Sequence, residues 1–400
     1  MTMPFGPPLP KLKHPLRLLT GCQPCPVKSL FMADTTTIPV RHGSRVISAL
    51  AQSVRAQLIF FVIPVLYLLA NAALFSVLEK HGRAPLQAII TDLVIFTIPA
   101  GLFVMFIVRM VQYALIEKPQ SATLALLSDI KSLFTKPGRI ILALPVFAAM
   151  VLFNKAMFEL KPAIPKLIPF SWDETLMQMD RGVHFGVDPW VLLQPLLGYD
   201  IITFAFSCIY NFWFLALFGA WMWFGFQTKS TELRTRFFLS YMLIWWLGGG
   251  ILALLFSSAG PVYYGLLGLR PDPFAPLMAY HHDVNTRTQL LFLDAQQLLW
   301  NGYIGKSAPI GISAFPSIHN ATSALFALAF YQHNRKMGWI AIAYCALILI
   351  GSVHLGWHYA VDGYAGIALA VLFWKLTGPI ARWHASRGST TLLNQRLAAL

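Results

Sequence analysis

The 400-residue chain is 57% hydrophobic and only 12% charged, whereas a soluble domain carries roughly 25% charged residues, so most of it is not solvated by water. Its net charge of +14 does not point to nucleic acid, because a nucleic-acid binder gathers its basic residues along one folded face. Here Lys and Arg stand in short groups between long apolar runs, a pattern that suits anionic lipid headgroups and excludes a soluble enzyme or a nucleic-acid partner.

Residues 1–50 are rich in Pro, Lys and Arg and read as a basic tail, disordered or lying on the membrane surface, with Met32 as an alternative start. They hold no apolar core long enough for a signal peptide. Cys22 and Cys25 form a lone CxxC, without the second pair that a zinc site needs. Cys208 and Cys345 lie within apolar runs and read as small buried hydrophobes.

A span needs about 20 predominantly apolar residues, and the runs at 57–78, 88–112, 138–158, 200–226, 236–257 and 338–354 meet that condition. Two shorter runs, 317–332 and 361–377, complete a set of eight. The expectation is an all-α, polytopic membrane bundle of about eight spans. With the amino terminus inside, every inside segment is basic: Arg41, Arg45 and Arg55; Arg109, Lys118, Lys131, Lys136 and Arg139; Lys229, Arg234 and Arg236; Arg335 and Lys336; Arg382, Arg387 and Arg396. That bias orients the bundle with both ends in the cytoplasm. Two long segments then fall outside. Residues 159–199, with Pro162, Pro165, Pro169 and the run Trp172-Asp173-Glu174, read as surface loops with one short amphipathic helix. Residues 258–316, with Gly260, Pro261, Pro271, Pro273 and Pro276 and a polar cluster from His281 to Gln289, read as loop, the kind of segment on which a rigid scaffold displays functional groups. His281, His282 and Asp283 make a metal cluster conceivable, but they lack a converging third ligand beyond the loop. No metal or other cofactor is expected.

Two short segments carry chemistry. Pro316-Ser317-Ile318-His319 precedes a small-residue-rich helix, with Ser317 as its cap. A helix start of this kind offers free amides and dipole to a phosphate, and His319 sits in its first turn. The second segment runs from Gly351 to Asp362 and contains His354, His358 and Asp362. His358 and Asp362 are four apart, which places them on one face if the stretch is helical. A carboxylate there can hold one imidazole nitrogen as N–H and free the other for attack. Isolated histidines near span ends, such as His184, His281 and His354, are ordinarily interfacial. A carboxylate beside a span is costly enough to mark function.

Pro316-Ser317-Ile318-His319 and His358-Tyr359-Ala360-Val361-Asp362 resemble the second and third signature motifs of the type-2 phosphatidic acid phosphatase superfamily. The Ile of the first motif, together with Asp180-Arg181-Gly182-Val183-His184-Phe185-Gly186 and Asp188-Pro189, resembles the inositol phosphorylceramide synthase branch, an inositolphosphotransferase group. The resemblance extends over roughly 140–380. It implies a phosphohistidine mechanism in which His358 attacks phosphorus, Asp362 orients it and His319 protonates the leaving oxygen. The chain departs from the phosphatase pattern at its cations. Of the first motif only Arg270-Pro271 is present, with Tyr263 in place of its Lys, and Gly351-Ser352 replace the Ser-Arg that opens the third. Ser317, Arg270 and Lys306 are therefore the candidate phosphate-binding residues, with Arg287 a further outside cation.

The organisation expected is a tail over 1–50, a transmembrane hairpin over 51–135, a catalytic transmembrane domain over 136–380 that keeps the active core in the last five to six helices, and a cytoplasmic tail over 381–400. The expected substrate is a phospholipid or polyprenyl phosphate, and the acceptor a lipid alcohol or water. The expected location is a bacterial inner membrane, with the site on the outer, periplasmic face. A lipid phosphate or polyprenyl pyrophosphate phosphatase is the nearest alternative. A lipid-binding or transport protein is the alternative from another class, although transporters show two similar halves and this chain does not.

Overall fold

The computed structural model describes residues 42–77, 98–135, 138–228 and 230–398. The expectations for the tail up to residue 41, with Met32 and the Cys22–Cys25 pair, for residues 88–97 of the second span, and for Lys136 and Lys229 lie outside these residues. Among the described residues the chain is helical throughout, with no strand.

The elements follow in chain order. An amphipathic helix α1 (His42–Ala56) leads into α2 (Ile59–Val77), α3 (Ile98–Gln112), α4 (Ala122–Thr135) and α5 (Gly138–Leu160). Two shorter helices, α6 (Asp173–Val183) and α7 (Pro189–Leu197), precede α8 (Asp200–Gly225) and α9 (Thr231–Leu243). The last continues as a π-helical stretch over Ile244–Leu252. Then come α10 (Ala275–Arg287), α11 (Leu291–Tyr303), α12 (Ile318–His333), α13 (Arg335–His354), α14 (Ala360–Ser386) and α15 (Gly388–Ala398).

Among the described residues six stretches are long and apolar enough to cross a membrane: Ile59–Val77, Gly138–Leu167, Asp200–Gly225, Thr231–Leu255, Arg335–His354 and Ala360–Ser386. The chain is an integral membrane protein with a helical bundle. The run expected at 361–377 is longer than its apolar core suggests, because α14 continues to Ser386. The run at 317–332 forms a 16-residue helix, α12, shorter than the others and enclosed by α9, α13 and α14. Of the two cysteines expected to be buried, Cys345 is, and Cys208 is exposed on the flank of α8.

Small residues bring the central helices together. A Cβ at Gly366 of α14 would lie 2.3 Å from the Ser317 carbonyl, and one at Gly363 would meet Leu349 and Asn320. The Gly248–Gly250 run lets the π-helical stretch lie directly against Ile318 and Tyr67. In a bilayer, where apolar contact with lipid is as good as contact with protein, this close backbone approach is what selects one packing. It fixes the start of α12 against the start of α14.

The two segments read largely as loops contain several helices, among them α6, α7, α10 and α11. Pro276 opens α10, and Pro189 opens α7, at positions where a missing N–H costs nothing. Pro276, which reads as a breaker, thus acts as a helix start. If the orientation read from the basic residues holds, a cysteine introduced at Lys306 is labelled from outside in intact cells, and one at Lys336 only after permeabilisation. The reverse pattern would invert the bundle.

Candidate functional site

The site lies at the end of the bundle where α5, α9 and α13 finish and α8, α12 and α14 begin. Ser317 caps α12 as its spacing predicts, accepting from the Asn320 N–H. The Ser317 N–H donates to the Asp362 carbonyl at 3.0 Å, so the two motif segments are joined directly. His319, in the first turn of α12, is pressed between Tyr210, stacked at 4.8 Å, and Trp213, with ring centroids 4.0 Å apart. Trp213 is itself fixed by donating to Thr322 Oγ1 at 2.9 Å.

His358 and Asp362 come together by a different route from one helical face. The chain turns at Gly356, whose φ is +70°, and the N–H groups of Trp357 and His358 both donate to the Ser352 carbonyl. Tyr359 then caps α14, and Asp362 at its third position accepts from the Tyr359 N–H at 3.1 Å. His358 therefore sits just outside the helix. Its Nδ1 lies 3.4 Å from Asp362 Oδ2, without the alignment of a hydrogen bond. The His319 and His358 rings are 6.0 Å apart between centroids. Burial pushes the His358 imidazole down to about 3, the charge of Lys161 adds to the fall, and the Ala314 carbonyl acts in the opposite sense. The ring is neutral at neutral pH, the form in which an imidazole is a nucleophile.

Two carboxylates on α6 grip this segment from one side. Asp173 accepts from the N–H groups of Ala259 and Gly260 at 2.9 and 2.8 Å and from the Tyr359 hydroxyl at 2.9 Å. Asp180, two turns on, accepts from the N–H groups of Ala360 and Val361, each at 2.8 Å, and so caps α14 from outside the helix. Both are buried, at 2% and 3% exposure. Burial pushes the Asp180 carboxyl up to about 6 against its two N–H donors, with Asp362 adding to the rise. Arg181 of the same helix forms a fork on Asp188 at 2.8 and 2.9 Å, and His184 meets the Tyr364 hydroxyl at 2.9 Å. From the other side, His281 Nε2 and Gln296 Nε2 reach the carbonyls of His354 and Leu355 at 2.9 and 3.1 Å. The histidine read as a possible metal ligand is thus a buttress, and Asp283 pairs with Arg287.

The predicted cations do not gather here. Arg270 is 68% exposed, with Asp272 at 3.9 Å. Arg287 is held by Asp200 and Asp283, and Lys306 is exposed beyond the end of α11. None of the three is buried with the histidines. Tyr263 donates to the Gln296 carbonyl at 2.9 Å, while Ser352 accepts from Asn320 Nδ2 at 3.3 Å.

Two histidines and a carboxylate thus meet at one end of a helical membrane bundle. A family model described as PAP2 superfamily matches residues 174–376, more than half of the chain, and the chain belongs to that superfamily. Comparison with curated proteins and with solved structures gave no match. The matched stretch includes both motif segments and most of α6. Sequence reasoning noticed Asp180 only as part of a resemblance and Asp173 only as part of a polar run. The available signal was their spacing of seven on a helix whose buried residues are Asp173, Leu176, Met177 and Asp180.

Proposed function

We propose that this chain transfers a phosphoryl group from a lipid-linked phosphate to an acceptor hydroxyl through a phosphohistidine on His358. The observation that carries the reading is the meeting of a neutral, buried His358 with Asp362 and His319 at a helix start within a PAP2 superfamily chain. Asp362 holds His358 as the Nδ1–H tautomer, and their 3.4 Å separation closes when substrate enters, as catalytic hydrogen bonds commonly do. The free Nε2 lone pair attacks phosphorus, the bond from phosphorus to the leaving oxygen breaks, and His319, which takes up a proton as the anionic substrate binds, gives that oxygen its proton. An acceptor O–H then attacks the phosphohistidine, His319 takes the acceptor's proton, and His358 is released. Ser317 positions the first turn of α12 and so the phosphate beside it.

The acceptor and substrate follow from charge. A phosphomonoester brings nearly two negative charges and needs several cations around its oxygens. Here Tyr263 and Ser352 are neutral and Arg270 is exposed, which favours a phosphodiester bearing one charge. That supports a headgroup transferase of the inositol phosphorylceramide synthase type, with a lipid alcohol as acceptor. Its catalytic domain corresponds to 136–380, facing the outside of a bacterial inner membrane. The second reading, a lipid phosphate or polyprenyl pyrophosphate phosphatase, differs in using water. The test is the purified protein given phospholipid labelled in its phosphate, with and without ceramide or another lipid alcohol. Label passing to the alcohol establishes a transferase. Label released only in water-soluble form establishes a hydrolase, and no movement of label from any lipid phosphate leaves the scaffold with a non-catalytic, lipid-binding role.

A further inference from the structure

A phosphate beside His319 and His358 needs a fixed positive charge on its oxygens, and the motif positions do not bring a lysine or arginine to it. We propose that Lys161, at the end of α5, is the cation that holds the phosphate oxygens in this site. The proposal deepens the reading above and rests on it.

Lys161 follows the last residue of α5 and opens a short 3-10 turn at the site end of the bundle. Its backbone is locked to the segment that leads into His319. A Cβ at Gly311, where φ is +95°, would lie 2.4 Å from the Lys161 carbonyl, so only glycine fits that approach. From Gly311 the chain continues through the Ala314 and Phe315 N–H groups, which donate to Ser258, to Pro316 and Ser317. The placement of Lys161 is therefore tied to the loop that positions His319. Its side chain is half-buried. Among the described residues no carboxylate or carbonyl takes its ammonium, and the nearby Glu159 is occupied by Lys155. The Lys161 charge acts on both His319 and His358, which puts the ammonium within electrostatic reach of both rings.

A partly desolvated ammonium without a counter-ion is costly, and within electrostatic reach of two histidines it is offset by an anion bound between them. One ammonium balances one negative charge, the charge of a phosphodiester. The residue also lies outside the stretch 174–376 that matches the family. It is a lysine brought in from a neighbouring span, where the resemblance places Tyr263. An ammonium reaching out to lipid headgroups is the competing explanation, and binding measurements separate the two.

The full-length protein in detergent is titrated by equilibrium dialysis with radiolabelled inorganic phosphate and, separately, with a water-soluble short-chain phospholipid. Lys161→Met weakens both about 10- to 100-fold, the size of a lost charge-assisted hydrogen bond. Lys161→Arg keeps the charge and restores most of the affinity. Lys161→Gln, which keeps a polar tip, takes the place of the Met variant if that variant does not purify folded. Unchanged phosphate affinity without the lysine overturns the proposal. So does weakening confined to the phospholipid, which would put Lys161 on the lipid rather than on its phosphate, and so does a wild-type protein that binds neither probe. His358→Gln binds phosphate as the wild type does and fails to turn over. A His358→Gln protein that still turned over would sink the reading of His358 and leave the assignment of Lys161 standing.

Discussion

Alanine in place of His358 stops turnover, with kcat falling by about 10⁴-fold or more, because the covalent route then has no nucleophile. The fold survives the change. His358 is 7% exposed and its Nδ1 has no aligned hydrogen bond, so removal of the ring takes a partner from the Ala314 carbonyl alone, and the melting temperature in detergent stays within a few degrees. Asp362→Ala behaves differently. That side chain is fully buried and caps the Tyr359 N–H, so the variant loses stability as well as activity, by about 1–3 kcal/mol for the orphaned amide. Acid-quenched enzyme exposed to labelled substrate carries label in the wild type and none in His358→Ala. A comparable rate in the alanine variant would remove His358 from the chemistry altogether.

The second large effect is at Asp180, where stability and activity depend on pH with opposite signs. Burial raises this carboxyl to about 6, above the value of about 4 expected in the unfolded chain. Between those values the folded chain holds a proton that the unfolded chain has released. The stability linked to Asp180 is therefore full below about pH 4 and is lost as pH rises through 6, by about 3 kcal/mol. Activity runs the other way. Only the ionised carboxylate accepts from both Ala360 and Val361, so protonation below about pH 6 loosens the start of α14 and displaces Asp362 and His358. Asp180→Asn fixes the loosened state. Its kcat is lower by about 10- to 100-fold, as misplacement of reacting groups by about 1 Å allows. Its KM stays close to that of the wild type, and its pH profile is flat between 5 and 7.5. The other titratable groups packed against Asp180 are Asp362, His184 and Tyr364. His184→Gln therefore serves as the control and retains the acid limb. An acid limb that persists in Asp180→Asn would assign it to another group.

Much of the architecture was legible because a bilayer imposes a coarse length and polarity rule, and α2, α5, α8, α9, α13 and α14 obey it. The two motif segments were legible because a Pro-Ser cap and an intramembrane carboxylate are unusual for separate physical reasons. What stayed hidden was how these pieces are held. The approach of His358 to Asp362 depends on a turn and a cap rather than on helical spacing, and one-dimensional spacing cannot distinguish the two. The helices α10 and α11 were hidden because Pro271, Pro273 and Pro276 read as interruptions, although Pro276 begins a helix. Lys161 was overlooked because a lysine at a span end ordinarily reaches for headgroups, and only the folded chain shows Gly311 against it.

The grip of α6 has a consequence for how the protein is made. Asp173 waits for a hydroxyl 186 residues further on, and Asp180 for an amide 180 residues further on. Until the last span has been synthesised and inserted, Asp180 has nothing to hold, Asp173 holds only the Ala259 and Gly260 N–H groups, and the 258–260 loop has no anchor against Tyr359. Contacts this distant in sequence form late. The earlier membrane spans are therefore in place before the site exists, and competence is acquired in a single closing step that draws α14 under a strap laid down early in translation.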